Sequence, residues 1–525
     1  MIEQLNRMGK NPIAWIFILA FGVRLYLCLA TAVVNPDGLI YIQQAKAIYF
    51  HQWSQINACG MQYLSILPPM IASAFLVFRD WVAAGRFISL VFGCGTFIPL
   101  YFILKRFFET RIIALTLLVY AFIPALTGRS AEIIRGPIFW FFLTSAFLMV
   151  VRHLDDRTAR RLDANLPLAC VFFLLAAWAR IEAILYLLVT AGYLLSTERG
   201  SRLRSLAFFL APSLFLAAIG LLAAIGLELP LSRLFRLDKP LEVLTRFAAD
   251  YRTLRTGVDI LANTQKGHMA EFLKQAGAFV WIVPLGPLFD CLVEKFFYPY
   301  VLIFLFGFSG LVRKTRKDPR VVYFIWLCAS AAALLYFYTL KTWLIYDRFL
   351  VNLILPAVVI VAYGCDNLTQ LLQGKFRIPT QRATVILAAV ILAFGLGKNL
   401  GPRYAEKRIF PEMAAEISAR KAPGELVRIA AGPSNAYNWV FFYANQDVRN
   451  VLCNKAESVA IPAEYREFIA RLRKKNVRYV LWSAKTWPKQ GVNLMAAPWE
   501  SDFEVLGKWN YDRKDDYLLL HRKTE

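Results

Sequence analysis

The sequence has 525 residues, of which 58% are hydrophobic and 18% are charged, with a mean hydropathy of +0.47. A soluble domain has about a quarter of its residues charged, so the composition excludes an ordinary soluble protein and indicates a chain that crosses the bilayer many times. The net charge of +24 does not indicate nucleic-acid binding, because the lysines and arginines cluster in short loops between apolar runs, as the positive-inside rule expects of cytoplasmic loops.

The first apolar run, residues 12–34, predicts an uncleaved membrane span that follows a cytoplasmic N-terminus. Residues 35–80 are then external and start with Asn35-Pro36-Asp37, the pattern of a helix start with Asn at the N-cap, Pro at N1 and a carboxylate in the first turn. Asp37 at this place either complements the helix dipole or has a chemical role.

The helix after Asp37 is predicted to be amphipathic and to lie at the membrane interface. Its apolar face is formed by Tyr41, Ala45 and Ile48, and its polar face by Gln43, Gln44 and Lys46. A second external segment, LSILPPMIASAFLVF, is apolar but short, which favours an interfacial or re-entrant helix over a full span.

Ten further spans are predicted between residues 81 and 400, which gives about eleven spans in total. They cover residues 81–104, 112–126, 137–151, 166–178, 181–195, 205–227, a span that ends at the basic run LVRKTRK, and residues 321–340, 350–363 and 383–400. The external loop 228–277 has helical periodicity.

An odd number of spans places the C-terminal segment outside. Its composition changes: LVRIAAG, VRYVLWSA and DYLLLHRK are typical of strands, and PAEYREFIARLRKKN is typical of an amphipathic helix. We therefore predict a transmembrane domain at residues 1–400 and a small external α/β domain at residues 401–525.

Three external loops contribute ionisable residues on one side of the membrane. The first contains Asp37; TGRSAEIIRG adds Arg129, Glu132 and Arg135; and KTWLIYDRF adds Lys341, Asp347 and Arg348. Carboxylates act as general bases, and Arg side chains bind phosphate, so the loops together indicate a polar site.

For ionisable residues outside these loops, a purely structural role is an alternative to a functional one. Arg24 in the first span and Glu182 beside Arg180 each have either a structural partner or a substrate role. Of the cysteines, only Cys59 and Cys453 lie in predicted external segments, and whether they form a disulfide is open; no metal-type spacing such as CxxC occurs.

Three segments resemble motifs of GT-C-fold glycosyltransferases. They are PDGLIY (residues 36–41), LPPM (67–70) and DRFLVNLILPAVVIVAYG (347–364), and they are most similar to the bacterial aminoarabinose-transferase and protein O-mannosyltransferase group. The resemblance covers nearly the whole chain and includes the external α/β tail. It implies a GT-C-like polytopic α-helical fold with interfacial helices in the first external loop.

The resemblance also implies an activity: transfer of a sugar from a polyprenyl-phosphate donor to an acceptor hydroxyl on the periplasmic face of the bacterial inner membrane. Asp37 is then the expected general base, and Arg348, followed by Lys341, is the expected ligand of the donor phosphate. Tyr41, Arg129, Arg135 and Asp347 are further expected substrate-binding residues. The acceptor can be a lipid, a glycan or a protein.

The sequence departs from the motifs of this group at two positions where relatives have an acidic residue. Gly38 follows Asp37 where relatives often have a second carboxylate, and Arg135-Gly136 stands where relatives start a span with Asp. We take Glu132 as the candidate for the second acid and leave a requirement for a divalent metal open. The absence of a WWDYG segment disfavours transfer of an oligosaccharide to asparagine.

Two other functions remain as alternatives. The main one is a secondary transporter or a lipid or glycolipid flippase, which the lack of matching Gly/Pro-broken halves and the external tail disfavour. A non-catalytic membrane scaffold does not explain the one-sided ionisable loops.

Overall fold

The computed structural model describes residues 11–60, 63–155, 164–197, 202–226, 238–314, 318–432, 434–453, 461–511 and 515–523. The helices are, in chain order, α1 Pro12–Ala30, α2 Pro36–Tyr49, α3 Leu67–Phe78, α4 Trp81–Gly95, α5 Phe97–Leu104, α6 Thr110–Phe122, α7 Pro124–Thr127, α8 Gly136–Asp155, α9 Asn165–Ala179, α10 Ala183–Thr197, α11 Arg202–Gly226, α12 Asp238–Thr264, α13 His268–Ala278, α14 Leu285–Cys291, α15 Tyr298–Lys314, α16 Pro319–Thr342, α17 Asp347–Ile354, α18 Val358–Phe376, α19 Thr380–Asn399, α20 Ile409–Ser418, α21 Asn435–Ala444 and α22 Tyr465–Lys474. The strands are β1 Ile429–Ala431, β2 Tyr479–Ser483, β3 Phe503–Tyr511 and β4 Asp515–Arg522.

Seven helices of the described residues are long and apolar enough to cross a membrane, or nine if each of two bent helix pairs forms one span. The prediction of a polytopic α-helical membrane protein is confirmed. The predicted spans at 166–178 and 181–195 correspond to α9 and α10, which have 15 residues each. The total of eleven spans stays a prediction.

The chain forms two compact units. The first, which we call the helical unit, consists of Met1–Phe21, Phe92–Arg129 and Gly136–Asn399. The second, the loop–tail unit, consists of Gly22–Val91, Ser130–Arg135 and Leu400–Glu525. The tail that the sequence analysis treats as a separate domain is therefore compact together with the first external loop.

Both bent pairs of the helical unit contain a proline at the break. At the first break Ile123 is extended before Pro124, and the axes of Thr110–Phe122 and Pro124–Ala131 differ by 60°. The hydroxyl of Thr127 donates to the carbonyls of Ala121 and Ile123, at 2.9 and 3.0 Å, and so satisfies groups near the break. Between α17 and α18 the bend is 70°, at the segment that contains Pro356.

The tail of the loop–tail unit contains a four-stranded mixed sheet of order β1-β2-β4-β3, in which β1 and β2 are parallel and the other pairs antiparallel. Helix α22 packs Phe468 and Leu472, one turn apart, into a core with Val480 and Leu520. The predicted α/β character is confirmed. Strand β3, whose burial pattern does not alternate between buried and exposed residues, is an element that the sequence analysis did not predict.

Helix α2 differs from the predicted interfacial helix in the surroundings of its polar face. Gln43, Gln44 and Lys46 are all buried. Gln43 Oε1 accepts a hydrogen bond from the Leu452 amide at 3.0 Å, and Lys46 Nζ donates to the carbonyls of Gln446 and Val448 at 3.0 and 2.9 Å. The polar face is thus matched to backbone groups of the tail rather than to water.

A disulfide between Cys59 and Cys453 answers the question that the sequence left open. It joins the first external loop to the tail across 394 residues. The bridge and the contacts of α2 fix the same part of the tail, residues 446–453.

Candidate functional site

The start of α2 is held by a hydrogen-bonded contact with the segment Ser130–Arg135. The side chain of Asn35 accepts from the Ile133 amide at 3.0 Å and donates to the Ile133 carbonyl at 3.3 Å. Asn35 occupies the N-cap position as predicted, but its side chain does not cap the helix. Its hydrogen bonds instead fix the turn that presents Asp37.

Asp37 lies in the wall of a cavity of about 480 Å³. The cavity lies between α2, the disulfide and helix α21, and its lining residues are Pro36, Asp37, Leu39, Ile40, Gln43, Ala58, Cys59, Gly60, Asn438, Phe442, Leu452 and Cys453. Its volume is in the range of ligand sites in proteins. The structure therefore places the predicted base at a space that can receive a substrate group.

Glu132, the predicted second acid, is almost fully buried and does not line this cavity. Its carboxylate lies 3.6 Å from a guanidinium nitrogen of Arg403. Glu132 therefore has a structural ion pair in the loop–tail unit, and a catalytic role for it stays a prediction. Arg403 lies at the start of the tail, and no motif in the sequence indicated that it would pair with Glu132.

Lys407 is a second cation of the tail in the region of Glu132. Its ammonium lies 3.9 Å from the centre of the Tyr404 ring and 5.0 Å from that of Trp439. Burial lowers the pKa of Lys407, while Glu406 and Glu132 act in the opposite direction. Such cation–π contacts favour retention of a charge in an apolar setting.

Arg135 and Tyr41, two predicted substrate-binding residues, contact each other. The guanidinium of Arg135 lies 5.6 Å from the centre of the Tyr41 ring and 5.0 Å from that of Tyr63. One terminal nitrogen of Arg135, Nη1, is buried and has no hydrogen-bond partner among the described residues. A nitrogen of this kind can donate a hydrogen bond to an anionic oxygen.

Arg129 and Asp347 belong to the helical unit and form a two-point ion pair. Arg129 Nε and Nη2 donate to the two carboxylate oxygens of Asp347 at 3.1 and 2.5 Å. Their side chains are 25% and 20% exposed. The structure thus brings two predicted substrate-binding residues together as partners of each other, which supports a structural role for the pair.

Arg348, the first candidate for the donor phosphate, is exposed at the start of α17. Its guanidinium lies 5.2 and 5.3 Å from the ring centres of Tyr346 and Phe349. Its carbonyl accepts from Arg180 at 3.0 Å, and Arg180 also donates to Glu182 at 2.5 and 3.4 Å. The structural reading of Arg180 and Glu182 is therefore supported, because they pair with each other and fix the backbone of Arg348.

Lys341, the second candidate, lies in the last turn of α16 and is exposed. No group of three or more His, Cys, Asp or Glu side chains among the described residues is arranged to hold a metal ion. Asp37 is followed in the chain by Gly38, and Glu132 forms an ion pair with Arg403. Neither Gly38 nor Arg403 has a side chain that binds a metal ion.

The fold is similar to those of solved membrane glycosyltransferases. ArnT from Cupriavidus metallidurans matches in its apo state with a TM-score of 0.59 at 12% identity, over 97% of each chain. ArnT bound to undecaprenyl phosphate matches with 0.55 at 12% identity, over 98% of each chain. The oligosaccharyltransferase of Archaeoglobus fulgidus tethered with an acceptor peptide matches with 0.53 at 12% identity, over 98% of this chain and 74% of that one.

Both of these proteins are GT-C-fold enzymes, and the chain described here has the GT-C fold that the motif resemblance predicted. No protein-family model and no curated protein sequence matches the chain. At this level of identity the similarity establishes the fold alone.

Proposed function

We propose that the protein is an integral-membrane glycosyltransferase that moves a sugar from a polyprenyl-phosphate donor to an acceptor hydroxyl. The observation that carries the proposal is the position of Asp37, which lines a cavity of about 480 Å³ in a chain with the GT-C fold. ArnT, with which the chain shares this fold over nearly its full length, was solved with undecaprenyl phosphate bound.

In the proposed reaction, Asp37 accepts the proton of the acceptor hydroxyl as that oxygen attacks the anomeric carbon of the sugar. The bond between the anomeric carbon and the phosphate oxygen breaks, its electron pair goes to that oxygen, and polyprenyl phosphate leaves. The new glycosidic bond joins the sugar to the acceptor. An ionised carboxylate serves as the base, so activity requires Asp37 in its deprotonated form.

The leaving phosphate gains negative charge, so cations near it favour its departure. Arg348 is the first candidate to bind it and Lys341 the second, because both are exposed cations, one in the first turn of α17 and the other in the last turn of α16. Arg180 donates to the backbone carbonyl of Arg348 and so fixes the main chain that carries this side chain. Arg135 is a further candidate because of its partnerless nitrogen in the described structure.

The disulfide supports an external location for the proposed reaction. Disulfides persist in oxidising compartments such as the periplasm and are rare in the cytosol. Cys59 and Cys453 belong to the first loop and the tail, so both segments are proposed to lie in the periplasm of a bacterial inner membrane with the N-terminus in the cytoplasm.

The proposal is tested by mass spectrometry of the lipids that co-purify with the wild type and with Asp37→Asn. Loss of the base leaves donor binding intact and blocks turnover, so a polyprenyl-phosphate sugar is expected to be enriched in the variant, and its mass identifies the sugar. Asp250→Asn serves as a control, because Asp250 is an exposed carboxylate of α12 outside the proposed site.

The control variant is expected to retain the same lipids as the wild type. If neither the wild type nor Asp37→Asn retains a polyprenyl lipid, the donor assignment is wrong and transport assays become the next experiment. If Asp250→Asn shows the same enrichment as Asp37→Asn, the enrichment does not report the loss of a base.

A further inference from the structure

Two cavities of the loop–tail unit adjoin each other, because Asp80 and Gln446 line both of them. The first, which we call the groove, has a volume of about 510 Å³ and is lined by the end of α1, by α4 and by the tail. The second, which we call the mouth, has a volume of about 310 Å³ and is lined by the end of α2, the junction of α3 and α4, and residues 446–449. Asp37 is not among the described residues that line either cavity, so the two cavities form a second candidate site.

The groove is largely apolar and lies at the ends of two helical segments that are long and apolar enough to cross a membrane. Its walls include the last turns of Pro12–Ala30 and the first turns of Trp81–Leu104. Four of its apolar side chains are between 36% and 77% exposed, namely Leu25, Leu29, Phe78 and Phe87. In a bilayer such side chains contact lipid chains, which bring no polar groups that need a hydrogen bond. An alkyl chain therefore fits the groove.

Three arginines line the two cavities in the described part of the chain. Arg79 and Arg449 are exposed and line the mouth, whereas Arg86 of α4 lines the groove. Arg86 Nη2 donates to the carbonyl of Thr31, just after the end of α1, at 2.8 Å. A guanidinium has five N–H donors in a fork that matches a phosphate. Arginines near the ends of two spans therefore favour a phosphate at the level of the lipid headgroups.

Two carboxylates also line these cavities, and each has a partner in the protein. Asp80 Oδ1 accepts from the Ala83 amide at 2.7 Å at the start of α4. Asp447 accepts from Lys421 Nζ at 2.5 Å and from the Gly424 amide at 2.6 Å. Asp447 is thus neutralised by a lysine, and the three arginines of the described lining exceed the carboxylate that remains. These charges favour an anionic ligand over a cationic one.

The backbone of Arg79 has a conformation that favours glycine. Its φ is 54°, in the left-handed region, directly after the last turn of α3. Its side chain reaches the end of α2, where Nη1 donates to the hydroxyl of Tyr49 at 3.3 Å. An arginine in this conformation carries a backbone cost. Substitution by glycine removes the cation and relieves the backbone at the same time, which makes this position suitable for a test.

We propose that the groove and the mouth together bind one phospholipid of the bilayer. An acyl chain lies in the groove, and the phosphate lies at Arg79 and Arg449. The lipid contacts α1, α4 and residues 446–449 of the tail at once, so it ties the tail to two spans. The site does not depend on the proposed transferase activity, and its lipid is neither the donor nor the acceptor.

The test uses the full-length protein in detergent micelles and a phosphatidylglycerol with a photoreactive diazirine on one acyl chain. The comparison probe is the diacylglycerol with the same chains and the same diazirine, which lacks the phosphate. After irradiation, mass spectrometry identifies the labelled residues. Phosphatidylglycerol is expected to label residues 25–32 or 82–90 about tenfold more strongly than diacylglycerol does, because diacylglycerol lacks the charge-assisted contacts.

The proposal is wrong if diacylglycerol labels these residues as strongly as phosphatidylglycerol does, or if neither probe labels them. Competition separates the proposed ligand from two others that have a phosphate. Unlabelled phosphatidylglycerol is expected to displace the probe, and glycerol 3-phosphate at the same concentration is not. Equal displacement by glycerol 3-phosphate would indicate a site for a free anion, and stronger displacement by undecaprenyl phosphate would indicate a site for the donor. Either result overturns the proposal.

Two substitutions test the contacts with the headgroup. Arg449→Gln and Arg79→Gly are each expected to reduce labelling by about tenfold. Arg466→Gln is the matched control, because Arg466 is an exposed cation of α22 outside both linings, and it is expected to label as the wild type does. Equal labelling of Arg449→Gln and Arg466→Gln contradicts the assignment.

Arg79→Gly also separates a role in lipid binding from a purely structural one. The Tm of this variant without added lipid is expected to be unchanged or higher, because glycine adopts the left-handed conformation without strain. A lower Tm together with labelling at the wild-type level would show that Arg79 serves the structure alone, and would contradict its contact with the phosphate.

Asp37→Asn separates failure of this inference from failure of the proposed function. This variant is expected to be labelled as the wild type is, and loss of labelling would place the lipid at the transferase site and overturn the inference. If phosphatidylglycerol does not label the groove while a polyprenyl-phosphate sugar is enriched in Asp37→Asn, the phospholipid site is rejected and the transferase remains.

Discussion

Gly38 lies against Ile133 so closely that a Cβ at position 38 would stand 3.0 Å from the Cβ of Ile133 and 2.8 Å from Cγ1 of Val34. Ile133 is also packed against Gly85, where a Cβ would lie 2.8 Å from its Cδ1. The residue after Asp37 is therefore a glycine for steric reasons. A second carboxylate, which relatives of the motif often have at this position, has no room here.

Substitution of Gly38 by Ala is expected to lower the free energy of unfolding by about 1–3 kcal/mol, because the added methyl overpacks the contact with Ile133. Thermal unfolding of the purified protein measures the change. Gly22→Ala is the matched control: Gly22 is also helical, and no atom lies within 4 Å of an added Cβ. The control is expected to be neutral or slightly stabilising, and an equal loss in both variants would contradict the steric account.

The ion pair of Arg129 with Asp347 is expected to stabilise the helical unit. Asp347→Asn removes the charge partner of a largely buried guanidinium and is expected to lower the free energy of unfolding by about 1–3 kcal/mol. The double variant Arg129→Gln/Asp347→Asn is expected to recover part of this loss. Thermal unfolding of the single and double variants measures the coupling.

The control for this pair is Glu271→Gln, which removes an exposed pair with Lys274 at 4.0 Å and is expected to change stability by less than about 1 kcal/mol. Strict additivity of the Arg129 and Asp347 substitutions would show that the two residues do not act as a pair.

Arg348→Ala is expected to reduce the amount of polyprenyl phosphate that co-purifies with the protein by about tenfold, because a charge-assisted contact to phosphate is lost. Thermal stability is expected to stay unchanged, since the side chain is exposed. Arg348→Lys is expected to retain part of the lipid because it keeps the positive charge. Retention should be incomplete because lysine lacks the planar guanidinium group. Lipid mass spectrometry gives the amounts.

Lys375→Ala is the control for this measurement, because Lys375 is an exposed cation in the last turn of α18. Retention of lipid by Arg348→Ala at the wild-type level would rule out Arg348 as the phosphate ligand. A fall in the control of the same size would indicate a general effect of surface charge.

Lys46 is expected to make stability depend on alkaline pH. Burial lowers its pKa to about 8, against the partly compensating charge of Asp447, whereas an unfolded lysine has a pKa of about 10.4. Between these values the unfolded chain binds more protons than the folded one, so the contribution of Lys46 to stability rises with pH. The total rise is on the order of 3 kcal/mol.

The measurement is thermal unfolding of the wild type and Lys46→Met at intervals from pH 7.5 to 10.5. The wild type is expected to gain stability relative to the variant across this range. Parallel curves for the two proteins would show that Lys46 does not titrate there.

The double variant Cys59→Ala/Cys453→Ala is expected to lower the free energy of unfolding by about 2–4 kcal/mol, because the bridge restricts the unfolded chain. Thermal unfolding with and without reductant measures the effect, and the reductant should affect the wild type only. Cys94→Ala, which removes a cysteine that is not part of the disulfide, is the control. Sensitivity of the double variant to reductant would contradict the assignment of the effect to this bridge.

The sequence predicted what depends on local pattern. The helix that starts at Pro36, the strands at 479–483 and 515–522, and the helical loop after residue 238 all agree with the structure. Asp37 was found because a carboxylate follows directly on an apolar span. The agreement is good where neighbours in the chain determine the conformation.

The sequence did not predict contacts between distant segments. Gln43 and Lys46 read as a solvated face because their partners, backbone groups at residues 446–452, lie about 400 positions later. Arg403 was missed for the same reason, since nothing near it in the chain indicates Glu132 as a partner. The pairing of Asp347 with Arg129 was not predicted for the same reason, since it joins loops 218 residues apart.

The long separation between Gln43 and Leu452 has a consequence for biosynthesis. These residues are 409 positions apart, and at a synthesis rate of about 5–20 residues per second roughly 20–80 s pass between their appearance. During that interval the polar groups of α2 have no tail to contact, and Cys59 lacks its partner Cys453. The nascent chain therefore has to keep its first loop soluble and reduced until the last quarter arrives, which makes this loop a natural point of contact for folding factors.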